Sequence, residues 1–280
     1  MKKTIMAIVS AVSLTGSLEA QQKSGGKENT VQLIRSATLK LNYAGRTFVV
    51  DPMFSAKGEF MSFAGVEKNP TVGLPMPVEE IKKNVEFVLV THTHIDHFDP
   101  AASAALDKSS QLYIQPTDVA FFEKEKFTKA KPVNDSIVDG NITIHRTSGQ
   151  HGKGAVGARM GNVSGFVLKS PGHPTIYIVG DCIFTDEILG NIKHYDPDYI
   201  IVNSGGAFIT NFQVDGPIIM DESQVVQTAA SSAKAKVIAV HMEALDHCPV
   251  TRVSLRNKAN FLQIREDKLL IPKDGEVIRL

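Results

Sequence analysis

Thr91-His92-Thr93-His94-Ile95-Asp96-His97-Phe98-Asp99 follows directly on Val85-Glu86-Phe87-Val88-Leu89-Val90, and this junction decides how the chain is read. Val85 to Val90 is dominated by apolar and β-branched residues, the composition of a strand covered on both faces. The next few residues hold four side chains able to ligate a metal: His92, His94, Asp96 and His97. A lone histidine is more often a satisfied polar residue than a ligand. Four ligating groups packed this closely have no reason in packing to occur together. Imidazole suits zinc and neighbouring divalent metals, and a carboxylate permits a second ion or a bridge. The exit of a buried strand is also where α/β folds gather their sites.

Outward from this junction, three more ligating residues stand at strand exits. His151 lies in Gly149-Gln150-His151-Gly152, Asp181 ends the run Ile176-Tyr177-Ile178-Val179-Gly180, and His241 ends Val237-Ile238-Ala239-Val240. As an ordered set, from about residue 31 onward, they resemble the pattern of the metallo-β-lactamase-fold hydrolases: HxHxDH, a distant His, an Asp closing a strand, a last His. The resemblance implies an α/β fold, a four-layer αββα sandwich over residues 31–280. It implies one metal on His92, His94 and His151, a second on Asp96, His97 and His241, and Asp181 bridging both. The implied cofactor is two divalent metal ions, Zn2+ foremost, with Mn2+ or Fe2+ as alternatives. Two such ions about 3.5–4 Å apart ionise a shared water near neutral pH and polarise a substrate oxygen.

Within that family the chain looks most like the branch of the L-ascorbate-6-phosphate lactonases and related hydrolases. Val50-Asp51-Pro52 before a long loop, Leu74-Pro75 before the metal strand and Phe98-Asp99 after the motif carry this closer likeness. N-acylphosphatidylethanolamine phospholipase D and ribonuclease-Z-type enzymes share the metal set. The expected function is hydrolysis of an ester-like bond, a lactone or carboxylic ester first and a phosphodiester second. An exported binding protein that keeps its metals as staples is the alternative from another class. Iron redox chemistry would call for a carboxylate-rich ligand set, against which His94 and His97 stand. The sequence offers no GxSxG elbow, P-loop or CxxC pair.

The remaining pattern is that of a β-rich sandwich. Strands are expected at Val31–Ile34, Thr38–Leu41, Thr47–Val50, Gln111–Ile114, Ile142–His145, Gly165–Lys169, Thr175–Val179, Tyr199–Val202, Lys236–Val240 and Val277–Ile278. The Gly165 and Thr175 strands form a hairpin around Pro171-Gly172. Helices are expected from Asp99-Pro100, over Asp221–Ala233 and around Val253–Phe261. Residues 55–80 read as a long loop, functional or mobile. No internal repeat is legible.

Several residues outside the ligand set admit two readings. Asp51, before Pro52, either supports a metal-ligating histidine or forms a turn. His247, in His247-Cys248-Pro249, is the third catalytic candidate beside Asp96 and Asp181; it contacts substrate or protonates a leaving group, or it sits in a surface turn. Asp99 reads as a helix N-cap. His145 and His173 read as structural, and nothing recommends His194. Arg252 and Arg256 could hold an anionic group, though a solvated face suits them better. Gly205-Gly206 is a tight strand exit that shapes the rim.

The composition, 42% hydrophobic and 21% charged, is that of a folded globular protein. Thirty basic residues balance thirty acidic ones, so nucleic acid is not an expected partner and a small-molecule substrate is. Lys2-Lys3, the uncharged stretch Thr4–Leu18 and Glu19-Ala20 read as a signal peptide over residues 1–20. A polar linker over 21–30 follows, so the protein is expected to be exported, periplasmic or secreted, with no membrane anchor. Cys182 and Cys248 read as two buried free thiols.

Overall fold

A computed structural model describes residues 28–209 and 215–280. The expected signal peptide and most of the expected linker lie outside the described residues. Two seven-stranded sheets pack face to face. The first contains β1 (Thr30–Arg35), β2 (Thr38–Tyr43), β3 (Arg46–Val50), β4 (Phe87–Leu89), β5 (Gln111–Ile114), β6 (Lys129–Pro132) and, beyond β1, β14 (Val277–Arg279). The second contains β7 (Ser136–Asp139), β8 (Ile142–Ser148), β9 (Ser164–Lys169), β10 (Ile176–Ile178), β11 (Tyr199–Asn203), β12 (Lys236–Val240) and β13 (Leu269–Leu270).

Period-two alternation accounts for the layering. In β3, Phe48 and Val50 enter the core between the sheets while Val49 faces outward. In β10, Ile176 and Ile178 point inward and Tyr177 outward; Ile238 and Val240 of β12 point inward, Val237 and Ala239 outward. Both faces of these strands therefore need cover. On the first sheet it comes from α1 (Val78–Lys82), α2 (Pro100–Ala105) and α3 (Val119–Lys124), through Ile81, Ala102 and Phe122. On the second it comes from α5 (Asp186–Tyr195), α6 (Glu222–Ala230) and α7 (Arg252–Phe261), through Ile188, Val225 and Leu255. The short α4 (Gly154–Met160) follows His151 and packs Val156 in a smaller cluster near the rim. The result is the four-layer αββα sandwich.

Asp99, Thr185, Asp221 and Thr251 cap α2, α5, α6 and α7, each accepting from the backbone N–H three residues on. The strand expected at Val85–Val90 is shorter, because Val85 N–H turns back onto the Lys82 carbonyl. The expected loop at 55–80 is irregular until α1 begins at Val78. The two sheets share one topology. In each, three antiparallel pairings give way to three parallel ones, at β3 in the first sheet and at β10 in the second.

Candidate metal centre

The exits of β4, β8, β10 and β12 open on one rim and deliver the seven ligating side chains there. Phe98 anchors the loop after β4: its ring packs edge-on against Phe122 and Phe127, with centroids 4.9 and 5.8 Å away. The N–H groups of His97 and Phe98 both donate to the His94 carbonyl, which folds the motif into a turn. Asp51 closes β3 in the left-handed region, φ 47°, a conformation that aspartate tolerates better than most residues. Its carboxylate accepts from Thr91 N–H (2.8 Å), Thr91 Oγ1–H (2.8 Å) and His97 Nδ1–H (2.9 Å). Both readings of Asp51 thus hold: it makes the turn and it supports a histidine. Thr91 gives its one hydroxyl proton to Asp51, so it can only accept from His92 Nδ1, 3.1 Å away. One carboxylate therefore turns the Nε2 lone pairs of His97 and His92 toward the rim.

On the facing side, His151 Nδ1–H donates to the Ile218 carbonyl at 2.8 Å, again leaving Nε2 for the site. Asn203 Nδ2 donates to Asp181 Oδ1. His241, φ 65°, is held by its N–H on the Ser36 carbonyl at 2.9 Å. A Cβ on Gly205 would lie 2.5 Å from the His241 carbonyl oxygen; only glycine lets that rim close.

The side chains converge in two groups. One nitrogen each from His92, His94 and His151 lie within 4.8 Å of one another, as do single ligand atoms of Asp96, His97, Asp181 and His241. Asp181 Oδ2 faces both groups: it is 3.1 Å from His97 Nε2, 3.5 Å from His151 Nε2 and 3.9 Å from His92 Nε2. Asp181 Oδ1 is 3.8 Å from His241 Nε2. All but His94 are buried. Burial pushes His92 well below the ordinary imidazole value and lowers His151, which favours the neutral, ligating form. For His97 burial acts in the same sense, but Asp181, Asp51 and Asp96 overcome it and raise the ring to about 10. His241 is likewise raised against burial by Asp181 and Asp96. Burial disfavours charge on Asp96 and Asp181 too, yet the neighbouring imidazoles hold both well below the usual carboxylate range. His97 Nε2 and His241 Nε2 are buried with no hydrogen-bond partner, although carboxylate oxygens stand 3.1 and 3.3 Å away. In this group imidazole and carboxylate atoms face a common point without bonding each other, which fits a divalent cation, while in the other group His92 Nε2 and His94 Nδ1 share a hydrogen bond of 3.0 Å.

The description "Beta-lactamase superfamily domain" matches residues 46–242. The chain belongs to the β-lactamase superfamily. It is similar to metal-dependent hydrolases of that superfamily along most of its length. UPF0173 protein YddR of Bacillus subtilis is 33% identical over 250 residues, 87% of this chain and 96% of that one. The crystal structure of "a possible metal-dependent hydrolase" from Veillonella parvula superposes with a TM-score of 0.86 at 31% identity, covering 90% of this chain and all of that one. An isothiocyanate hydrolase from Delia radicum gut bacteria superposes with a TM-score of 0.84 at 35% identity, covering 90% and 99%.

Above the ligands this superfamily hydrolase has a cleft of about 370 Å³. His94, Asp96, His151 and Asp181 form its floor; Met61, Phe63, Ile95, Met160, Ile209 and Ile218 give it apolar walls. Among the described residues no Lys or Arg lines it. His247 does line it, buried, with Nδ1 lacking a hydrogen-bond partner and its pKa lowered by burial. The other candidates lie elsewhere. Arg252 bonds Glu243 and Asp274, and Arg256 donates to the Leu269 carbonyl. His173 contacts Asn29 and Tyr43; His194 and His145 contact Tyr195. Cys182 and Cys248 are buried free thiols. Sequence reading did not single out Thr91, Asn203 or the carbonyls of Ile218 and Ser36. Only Thr91 carried a signal, as the polar residue between the strand and the first ligand.

Proposed function

We propose that the hydrolase works with two metal ions, zinc foremost, and adds water to an electrophilic carbon of a small uncharged substrate, a lactone or carboxylic ester. The observation that carries this reading is the cleft: seven ligating groups at or beneath its floor and apolar walls with no cation among the described residues. A phosphodiester or a phosphorylated sugar would bring a negative charge that this lining does not answer. When bound, two such ions supply an activated water and a Lewis acid for the electrophile. His92, His94 and His151 would hold one, Asp96, His97 and His241 the other, with Asp181 shared. Asp51 and Ile218 keep the imidazole lone pairs aimed inward. The apolar walls exclude bulk water and seat the substituent. His247, neutral because burial lowers its pKa, takes a proton from the attacking water and returns it to the departing atom.

A second reading is an isothiocyanate substrate, favoured by the same uncharged walls and by the 35% identical isothiocyanate hydrolase. Water adding across the carbon–nitrogen bond places oxygen on carbon and a proton on nitrogen; cleavage of the C–N bond then releases an amine and carbonyl sulfide. Turnover of a γ-lactone, a p-nitrophenyl ester, benzyl isothiocyanate and bis-p-nitrophenyl phosphate, with and without chelator, tests both readings. The expected result is chelator-sensitive hydrolysis of an uncharged substrate. Preferential hydrolysis of the phosphodiester overturns the substrate class; metal-loaded protein inert toward all four points to the metal-stapled binding protein.

A further inference from the structure

The residues from Phe60 to Asn69 form a closed loop that leans over the cleft. Its ends pair: Phe60 N–H donates to the Asn69 carbonyl at 2.7 Å and Asn69 N–H to the Phe60 carbonyl at 3.1 Å. A surface loop with its ends tied this way is of the Ω type. Its centre is occupied by a carboxylate from a distant part of the chain. Asp246 accepts from Ser62 Oγ–H, from the N–H groups of Phe63 (2.9 Å), Ala64 (3.2 Å), Val66 (3.2 Å) and Glu67 (3.3 Å), and from Asn69 Nδ2–H (2.8 Å). Asp246 N–H returns a bond to Asn69 Oδ1 at 2.8 Å. Backbone N–H groups converging on one point make an anion-binding concavity; here the anion belongs to the protein. Burial works against charge on Asp246, but Ser62, Asn69 and the amides hold it well below the usual carboxylate range.

Both sides of this clasp reach the metal cleft. Met61, Ser62 and Phe63 line it from the loop, and His247, next in sequence to Asp246, lines it from the β12 exit. The Phe63 ring meets His247 edge-on, centroids 5.0 Å apart. A second tie joins the same segments: Thr71 N–H donates to the Ala244 carbonyl at 2.8 Å and Thr71 Oγ1–H to the Glu243 carbonyl at 3.2 Å.

We propose that Asp246 is a positioning residue for substrate specificity, holding the Phe60–Asn69 loop as a fixed wall against the apolar substituent of the substrate. This rests on the hydrolase reading above. Among the described residues no other carboxylate bonds the four tip amides; Val66 N–H keeps a second acceptor in Ser62 Oγ at 3.0 Å, and losing Asp246 frees those of Phe63, Ala64 and Glu67 together. The wall touches the part of the substrate that does not react. Its displacement weakens binding of ground state and transition state alike, which raises KM and leaves kcat in place.

The test uses metal-loaded, full-length protein as wild type, Asp246→Asn and Asp246→Ala. Hydrogen exchange at the amides of Phe63, Ala64 and Glu67 should quicken by about tenfold or more in Asp246→Ala and less in Asp246→Asn, as loss of bonds to a charged acceptor implies. Exchange in β11 and β12 should not change. With matched p-nitrophenyl esters of phenylacetic and acetic acid, KM for the larger ester should rise about tenfold and kcat stay within about threefold, while the acetate KM moves less. Unchanged exchange at these three amides, or an unchanged preference between the two esters, overturns the proposal. Wild type inert toward both esters and toward the isothiocyanate is a failure of the proposed function, and is separable because exchange reads the clasp without turnover.

Discussion

Asp51→Asn changes one atom and is expected to disable both ligand groups. Asp51 Oδ1 accepts from Thr91 N–H; Oδ2 accepts from both Thr91 Oγ1–H and His97 Nδ1–H. Asparagine suits the left-handed backbone here, φ 47°, so folding strain is not the issue. If its oxygen stays on the Thr91 amide, its NH2 meets His97 Nδ1, and the ring must move its proton to Nε2, the atom aimed at the site. Thr91 then accepts from the new amide and donates to His92 Nδ1, turning that ring as well. If the amide flips instead, the Thr91 N–H is buried without an acceptor, at about 1–3 kcal/mol. Loss of one such outer hydrogen bond lowers metal affinity by about 10–100-fold, and one affected histidine sits in each group. Competition against a chromogenic chelator, with metal analysis of the retained protein, reads this directly: both metal equivalents should weaken by about 10–100-fold. Thr91→Val removes the link to His92 and the hydroxyl's own bond to Asp51 but leaves the Asp51–His97 bond in place, and should weaken chiefly the equivalent held by His92, His94 and His151. Wild-type affinity for both equivalents in Asp51→Asn would refute the tautomer argument.

Four further outcomes are expected. Chelation should lower the Tm, by roughly 5–10 °C for each ion lost if the metal is present at about 100 times its Kd, since it binds only the folded chain; an unshifted Tm with metal removed contradicts that. In chelated protein His97 is raised from 6.5 to about 10, so the stability it contributes is complete below pH 6.5 and fades as pH climbs toward 10; melting curves that stay flat or improve over that range contradict the sign. Asp181→Ala should cost at least about a hundredfold in turnover, because it removes the oxygen facing both groups, whereas His247→Ala should cost about tenfold and leave metal content unchanged; equal effects in steady-state assays would put the two in one role. Finally, the proposed export predicts a mature chain beginning near Gln21, and N-terminal sequencing from the native host that returns Met1 counts against it.

The convergence of the seven ligating residues was legible because the HxHxDH cluster, Asp181 and His241 each follow an apolar run, where strand exit and ligand type coincide; His151, after the polar stretch from His145 to Gln150, was legible only through the family pattern. Asp51 was half legible: Asp-Pro announces a turn, but only the fold brings it behind His97. The edge strands β6 and β7 were missed. They are mostly exposed or half-exposed and polar, so they lack the alternation that marked β3 or β8. The Phe60–Asn69 clasp was illegible for a different reason. Its donors are mostly backbone amides, which every residue but proline carries, and its acceptor lies 177 positions from Asn69. The common topology of the two sheets leaves no trace in residue identities, because pairing order is a property of backbone direction.

That common topology divides the ligands in a telling way. The first half of the chain supplies His92, His94, Asp96 and His97; the second supplies His151, Asp181 and His241. Each ligand group draws on both halves, so neither half alone presents a complete seat for an ion. The segment between β6 and β7 is short, with exposed residues Asn134 and Asp135, and carries the chain from the first sheet to the second; the chain returns once, from β13 to β14. Cut there, the two fragments would share a hydrophobic seam and an ion-binding rim that exist only when they meet, and divalent metal becomes the agent that joins them: a two-part protein whose reassembly reports the metal it holds.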